Sequence, residues 1–347
     1  MILQDLVGTE LPIIQAPMAG VQDSKLAIAV SNAGGLGSLP CAMLSTEGIR
    51  EELSFIRANT DMPYNVNFFC HQPPEIDVAR EQAWRRALAP YYEHYGIDPD
   101  DAPPGGSRNP FNVAAADVLE EFKPAVVSFH FGLPTRELLL RVKRWGSLVF
   151  STATTVDEAL WLEDQGVDAI IAQGVEAGGH RGMFLSEDIH TQVGLFSLLP
   201  QIVREVKVPV VAAGGIADRE GVMAAMDLGA AGVQVGTAYM LCPEATTNVL
   251  HRTALQSSAA KLTALTNLFT GRPARGIVNR FMRELGPMSA LAPAFPFATA
   301  AIGPLRKKAE AEGSTDFTPL WCGQNPAGCR EVSAAELTRA LMQAPTI

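Results

Sequence analysis

The residues best suited to chemistry lie where glycine-rich turns follow short apolar runs. His180 stands in the run AIIAQGVEAGGHRGMF, directly after Gly178 and Gly179. An imidazole can exchange a proton near neutral pH, and glycines, having no Cβ, allow the backbone to approach a bound ligand closely. In this context a reacting histidine is favoured over a capping or surface histidine.

Two further glycine turns have the character of a phosphate-binding site. Gly214 and Gly215 follow the apolar run PVVAA, and Gly236 and Thr237 follow GVQV. In barrels of alternating strands and helices, the loops after the last two strands commonly bind phosphate through backbone N–H groups. Ordinary turn formation explains either turn alone, but both together at these positions predict a phosphate site.

Three other side chains follow strand-like runs and could face the same ligand. Met18, in QAPMAG, could lie along a planar ring, and Gln173 could hydrogen-bond the polar edge of that ring. Asn67 ends the run YNVN, where a buried amide needs hydrogen-bond partners. A cofactor contact and a structural hydrogen bond explain Asn67 equally well.

The roles of three charged or titratable neighbours are less specific. His130, in SFHFG, is better explained as a rim histidine with satisfied hydrogen bonds than as a reacting group. Glu176 either orients the loop that carries His180, or its imidazole, or is a solvated carboxylate. Arg181 either supplies positive charge near an anion or pairs with an acid.

Eight short apolar runs, each followed by a helix-like segment, predict the elements that position these residues. Continuous rather than alternating apolar runs are typical of parallel strands covered on both faces. Helix starts are indicated at Asp23, Thr155 and Asp218. The pattern predicts a (β/α)8 TIM barrel ahead of an open doubly wound sheet. The runs are PIIQA (12–16), GLGSL (35–39), YNVNFF (64–69), AVVSFHF (125–131), SLVFSTA (147–153), DAIIAQG (168–174), PVVAAGG (209–215) and GVQVGTAYM (232–240).

Two segments exceed a minimal barrel. Residues 71–116, which include the turn-rich run DPDDAPPGGSRNP, form an insertion before the fourth strand. We expect residues 1–240 to be the ligand-binding barrel and residues 241–347 to form a lid or substrate region over its mouth. That region could also return a helix to the barrel, or be surface decoration with a disordered tail.

Composition favours a small-molecule partner. The 347 residues are 47% hydrophobic and carry a formal net charge of −10, which argues against binding to nucleic acid or to an anionic membrane surface. Neither a membrane span nor a signal peptide is expected. The five cysteines show no metal-ligand spacing, so we expect no metal site, reduced thiols and a cytoplasmic location.

The chain resembles the nitronate monooxygenase family, formerly called 2-nitropropane dioxygenases. The resemblance is carried, in family order, by PIIQAPMAG, SNAGGLGSLP, NVNFFCHQPP, VSFHFGLP, QGVEAGGHRG, VAAGGIAD and GVQVGTAY. It covers residues 10 to 285, and EAGGHRG is its most specific segment.

The resemblance implies an FMN-dependent TIM barrel that oxidises alkyl nitronates, such as propionate 3-nitronate, with O2. It implies that His180 is the active-site histidine. It also assigns a set of FMN contacts, most of them also indicated by the turns described above. These contacts are Asn67, Gln173, Gly178, Gly215 and the stretch Gln234, Val235, Gly236 and Thr237.

The C-terminal region departs from the family pattern. Family members often place tyrosines and a lysine there near the substrate, whereas PAFPFATAAIGPLRKKAE has Phe295 and Phe297 and no tyrosine. If these phenylalanines line the pocket, the site is more apolar. Trp321-Cys322-Gly323-Gln324 resembles a family W-x-G-Q element that could touch the flavin.

Three other functions compete with this interpretation. A flavin-dependent NAD(P)H reductase acting on enoyl-ACP or quinones shares the EAGGH-like and AGGIAD-like loops. A non-flavin barrel enzyme acting on a phosphorylated metabolite needs only the phosphate site. A silent flavin-binding module needs no reacting histidine. The sequence also leaves homo-oligomerisation open.

Overall fold

The computed structural model describes residues 2–98 and 108–343, and eleven strands lie in these ranges. Each of the eight predicted apolar runs coincides with one strand, although β2 extends one residue beyond its run. In chain order the strands are β1 (Ile13–Gln15), β2 (Gly37–Pro40), β3 (Tyr64–Phe69), β4 (Val126–His130), β5 (Leu148–Ala153), β6 (Ala169–Gln173), β7 (Gly179–His180), β8 (Val210–Ala213), β9 (Gly232–Val235), β10 (Thr263–Thr266) and β11 (Ala274–Ile277).

Eight of these strands form a closed parallel barrel. Their order is β1-β9-β8-β6-β5-β4-β3-β2, and every neighbouring pair is parallel. A parallel bridge between Ile14 and Leu36 joins β1 to the start of β2 and closes the ring. The predicted (β/α)8 barrel is therefore confirmed.

Thirteen α-helices lie in the described ranges, and those at the predicted starts are capped by the expected side chains. The Asp23, Thr155 and Asp218 side chains each accept a hydrogen bond from a backbone N–H in the first turn. The helices are α1 (Leu3–Val7), α2 (Ser24–Asn32), α3 (Thr46–Asn59), α4 (Val78–Tyr95), α5 (Val113–Phe122), α6 (Arg136–Arg144), α7 (Val156–Asp164), α8 (Leu195–Glu205), α9 (Arg219–Asp227), α10 (Val249–Gln256), α11 (Arg280–Leu285), α12 (Ala298–Ala311) and α13 (Ala334–Ala340).

The barrel strands are mostly apolar because both of their faces are buried. On β6, Ile170 and Ala172 pack outward with the surrounding helices. Ala169 and Ile171 pack inside the barrel, where Leu3 of α1 joins the same cluster. This alternation explains why the apolar runs are continuous.

A second hydrophobic core lies beside the barrel. Trp84 and Tyr92 of α4 pack with Phe281 of α11, Ile302 of α12 and Phe317. The segment before β4 and the C-terminal region thus share one core. At the other end of the C-terminal region, Leu337 of α13 packs in the main core with Leu26 and Val30 of α2.

The domain boundaries at 71–116 and 240/241, and the role of the second core as a lid, stay predictions. The last part of the segment 71–116 enters α5, which packs beside the barrel. Residues 99–107 of the turn-rich run, and residues 344–347 of the predicted tail, lie outside the described residues.

None of the helices in the described ranges combines the length and apolar character that a bilayer span requires. Within the same ranges, no three His, Cys, Asp or Glu side chains form a group that could hold a metal ion. All five cysteines are free thiols.

Candidate functional site

A cavity of about 1380 Å³, counting its open mouth, lies at the carboxyl ends of the barrel strands. Catalytic sites of (β/α)8 barrels occur at this end. Ten of the eleven residues predicted for the site line this cavity: Met18, Asn67, Gln173, Gly178, His180, Gly214, Gly215, Gln234, Gly236 and Thr237.

Val235 is the predicted contact whose side chain does not reach the cavity. It is buried in the outer core, and its carbonyl accepts a hydrogen bond from the Ala16 N–H. Successive side chains of a strand point to opposite faces, so Gln234 faces the cavity and Val235 faces the helices.

One part of the rim is suited to bind an anion through the backbone. A short 3₁₀ helix, Thr237–Leu241, starts there, and its N-cap residue Gly236 has no side chain to cap it. The first N–H groups of a helix have no partner within the helix and carry partial positive charge. Gly214 and Gly215, on the neighbouring loop, have φ angles of +120° and +71°, which favour glycine.

A C-terminal segment, residues 321–325, closes against this rim. The Gly323 N–H donates to Thr237 Oγ1 at 3.0 Å, and Asn325 Nδ2 donates to the Gly215 carbonyl at 3.0 Å. Gly178 packs tightly under this segment. A Cβ added to Gly178 would lie only 2.6 Å from the backbone nitrogen of Gly323. Trp321, Gly323 and Asn325 line the cavity, whereas Gln324 lies in a separate groove.

Gln234 leaves a polar atom without a partner at the cavity. Its Oε1 is buried and accepts no hydrogen bond within the described residues. A buried carbonyl oxygen left unsatisfied costs about 1–3 kcal/mol. Gln234 lines the cavity, so a ligand with an N–H or O–H donor could satisfy this oxygen.

His180 is carried by a small antiparallel sheet above the barrel. It lies on β7, opposite Ala274 of β11, and its Nε2 is 2.9 Å from Thr270 Oγ1. The imidazole is surrounded by aromatic rings at centroid distances of 5.4–6.0 Å, from Phe69, Phe131, Phe295 and Trp321. Phe295 does contact the histidine, so the surroundings are apolar.

These surroundings keep His180 neutral. Burial lowers the pKa of His180 well below 6.5, and the positive charges of Arg108 and Arg272 lower it further. The imidazole therefore holds one proton at neutral pH. It can donate or accept a hydrogen bond, but it is a weak base.

Two polar side chains hold the backbone of His180 in place. The Gln173 amide donates to the His180 carbonyl at 3.0 Å and accepts from the Gly182 N–H at 2.8 Å. His130 Nε2 is 3.1 Å from the same carbonyl, and its Nδ1 is 3.0 Å from Thr152 Oγ1. Because a carbonyl only accepts, Nε2 of His130 carries the proton, as the prediction of a satisfied rim histidine requires.

Glu176 and Arg181 have structural roles in the same loop. The Glu176 carboxylate accepts from the Leu195 N–H at the start of α8, so it orients the loop, as one prediction proposed. Arg181 is fully buried and donates to the carbonyls of Gln173 and Gly174, both at 2.7 Å. The prediction that Arg181 pairs with an acid was wrong, because its guanidinium donates to backbone carbonyls instead. The prediction that it supplies positive charge near an anion stays a prediction.

Three residues of the site were missed by sequence reasoning. Glu158 is buried on α7 and accepts hydrogen bonds from the N–H groups of Phe184 and Leu185, just beyond His180. Thr270 contacts His180 from ninety positions further along the chain. Arg108 lines the cavity from the turn-rich segment. Their sequence neighbourhoods predict a helix start for Glu158 and a turn for Arg108. Neither signal predicts a contact near His180 or with the cavity.

Acid is expected to destabilise the fold between pH 6.5 and 4. Burial lowers the pKa of His71 and His251 to about 4 and that of His130 to about 3, from 6.5. The folded chain then binds fewer protons than the unfolded chain, so the free energy of unfolding falls as the pH falls. His71 and His251 should each contribute about 1.4 kcal/mol per pH unit in this window. Urea denaturation at pH 7.5, 6 and 5 measures the free energy of unfolding. An equal free energy of unfolding at all three pH values would contradict this prediction.

The fold and the site define the class: an enzyme with a (β/α)8 barrel and a ligand cavity at the carboxyl ends of its strands. Within that class, the family model for nitronate monooxygenase matches residues 1–344, and the chain belongs to this family of oxidoreductases.

Known relatives agree with this assignment over the full length. The nitronate monooxygenase of Pseudomonas aeruginosa is 44% identical over 344 residues, covering 97% of both chains. That of Paraburkholderia phytofirmans is 42% identical, covering 98% of this chain and 93% of the relative.

Solved structures of other proteins are also similar to this chain in fold and sequence. The nitroalkane oxidase from Streptomyces ansochromogenes is 42% identical, with a TM-score of 0.88, and the match covers 98% and 96% of the two chains. FabK from Thermotoga maritima is more distant, at 27% identity and a TM-score of 0.72, covering 98% and 94%.

Proposed function

We propose that the chain is an FMN-dependent nitronate monooxygenase that uses O2 to convert alkyl nitronates to carbonyl compounds and nitrite. His180 and the anion-binding rim at Gly236 open into one cavity, and this shared cavity is the main support for the proposed reaction. Membership of the nitronate monooxygenase family supports the reaction type.

The residues of the cavity fit FMN. The uncapped helix start at Gly236 and Thr237, with the loop at Gly214 and Gly215, would hold its phosphate. The orphan Oε1 of Gln234 suits an N–H donor such as the flavin ring carries. Met18, Asn67, Gln173 and Gly178 would complete the surroundings of the flavin. When bound, FMN supplies the redox chemistry that takes electrons from the substrate and passes them to O2.

His180 would bind and orient the nitronate. Thr270 occupies Nε2 within the protein, and the lowered pKa keeps the imidazole neutral. General bases work best when their pKa lies near the working pH, so His180 is poorly suited to remove a carbon-bound proton. We therefore expect the preformed nitronate anion, rather than the neutral nitroalkane, to be the preferred substrate.

The aromatic walls exclude water from the reacting centre. Phe69, Phe131, Phe295 and Trp321 surround the imidazole without offering hydrogen bonds to an oxygen of the substrate, apart from the Trp321 N–H. A single hydrogen bond from His180 counts for more in such surroundings than in water.

Oxygen consumption and nitrite formation test the proposal directly. The protein purified with its bound cofactor should be yellow, should consume O2 with propionate 3-nitronate, and should release nitrite. Mixing with NADH without air is the matching test for a reductase. Prompt bleaching by NADH with no reaction of the nitronate would favour the reductase. A colourless protein would favour the non-flavin barrel enzyme, and a yellow protein that reacts with neither would favour the silent module.

We also propose that the protein is located in the cytoplasm. All five cysteines are free thiols, which is typical of proteins in reducing compartments. Assembly into a homo-oligomer stays a prediction.

A further inference from the structure

Arg108 brings a positive charge into the cavity. Among the described residues, it is the only Asp, Glu, Lys or Arg that lines the cavity. Its Nη1 donates to Thr299 Oγ1 at 3.1 Å, and its guanidinium lies 5.7 Å from the centre of the Phe295 ring. The His71 imidazole hydrogen-bonds the Arg108 backbone. The side chain is thus held at the cavity by the elements around it.

No acid balances this charge within the residues that the structure describes. Arg108 takes part in none of the ion pairs found there, and its hydroxyl and aromatic partners are neutral. Burial lowers the pKa of Arg108 because its charged form loses hydration. A guanidinium has five N–H donors, and within the described residues one hydrogen bond is found for them, to Thr299 Oγ1. An anion in the cavity would satisfy both the charge and the donors.

That anion is not the phosphate of the cofactor. Arg108 lies in the connection from β3 to β4, where the Phe111 N–H donates to the Phe69 carbonyl at the end of β3. The phosphate rim follows β8 and β9. In the barrel order, β3 and β8 are four strands apart in either direction, so they lie on opposite sides of the mouth.

Arg108 and His180 instead share a neighbour. The Phe295 ring lies 5.4 Å from the His180 ring, by centroid distance, and 5.7 Å from the Arg108 guanidinium carbon. The charge of Arg108 is also among the causes that lower the pKa of His180. A small molecule that contacts His180 at one end can therefore reach Arg108 at the other.

We propose that Arg108 is the residue that determines substrate specificity by binding a carboxylate at the far end of the nitronate. Propionate 3-nitronate, the substrate that the family resemblance implies, carries such a carboxylate, so Arg108 would favour it over an uncharged alkyl nitronate. The planar fork of a guanidinium matches a carboxylate with two parallel hydrogen bonds. This inference rests on the proposed function for the reaction itself, but carboxylate binding can be measured without turnover.

The test compares a carboxylate-bearing and an uncharged ligand in Arg108→Gln, Arg108→Lys and Arg306→Gln. Arg306→Gln is the matched control, because it removes a nearby charge that pairs with Glu310 outside the cavity. Calorimetry gives the dissociation constants of 3-nitropropionate and 1-nitropropane. Steady-state kinetics give kcat/KM for propionate 3-nitronate and propyl-1-nitronate.

Arg108→Gln should weaken 3-nitropropionate binding about 100-fold relative to 1-nitropropane, and should lower the ratio of the two kcat/KM values by a similar factor, mainly through KM. Arg108→Lys should keep most of the preference, and Arg306→Gln should keep all of it. Equal losses for both ligands would overturn the inference, since Arg108 would then bind the nitro end. An unchanged preference would overturn the inference as well.

The wild-type protein distinguishes this inference from the proposed function. If it turned over neither nitronate yet bound 3-nitropropionate through Arg108, the proposed function would be wrong and carboxylate binding by Arg108 would still be supported.

Discussion

Replacing His180 by alanine should lower kcat/KM for a nitronate about 1000-fold, because the variant loses the imidazole that orients the anion among aromatic walls. The variant should still fold, since Gln173 and His130 bind the backbone carbonyl of residue 180, which alanine retains. Flavin content should also stay near that of the wild type. Oxygen consumption per bound flavin measures the effect.

His190→Ala is the matched control for this experiment. His190 lies ten residues further along the chain, on an exposed 3₁₀ turn, and should be replaceable with no change in rate. If His180→Ala turned over nitronates within tenfold of the wild type, His180 would not be a reacting-centre residue. The assignment of the active site would then be wrong.

Introducing a carboxylate at Gly236 should weaken FMN binding at least about 100-fold, because the new charge would repel the phosphate that we propose binds at this helix start. Gly236 is the N-cap of the 3₁₀ helix, and aspartate is a favoured N-cap residue. The new side chain meets only the Ala16 and Met18 side chains, so the cofactor-free Gly236→Asp protein should still fold, with a modest loss of stability. Titration of the cofactor-free protein with FMN, followed by flavin fluorescence, gives the affinity.

Two comparisons isolate the charge from the side chain. Gly236→Ala adds only a Cβ, which would lie 3.3 Å from the Ala16 Cβ, so its effect on FMN should be modest. Riboflavin lacks the phosphate, so Gly236→Asp should weaken riboflavin binding far less than FMN binding. If both flavins lost affinity equally, the phosphate would not lie at Gly236.

The barrel could be predicted from the sequence because its strands are buried on both faces. That burial makes each strand a short continuous apolar run, and the runs recur with helix starts between them. The glycine turns at Gly214, Gly215 and Gly236 could also be predicted from the sequence. They follow strands whose carboxyl ends meet at one rim of the barrel. The structure accordingly places these turns and His180 around one cavity.

Contacts between distant parts of the chain could not be predicted in the same way. Thr270, the partner of His180, and the segment from Trp321 to Asn325 approach the site only when the C-terminal region folds over the barrel. Arg108 enters from a turn-rich segment with no periodic pattern. Gly178 was interpreted as a ligand contact, yet its packing against Gly323 already requires glycine. These contacts depend on how distant segments of the chain pack together. A short sequence motif contains no information about that packing.

We propose that one cavity holds the flavin by its phosphate at the Gly236 rim and presents the flavin ring to His180. A crystal structure of the protein with FMN tests this most directly. We expect phosphate oxygens within hydrogen-bonding distance of the N–H groups of Gly236 and Thr237, and the flavin ring facing the imidazole of His180. A flavin bound away from this rim, or with its ring remote from His180, would contradict the proposed binding mode.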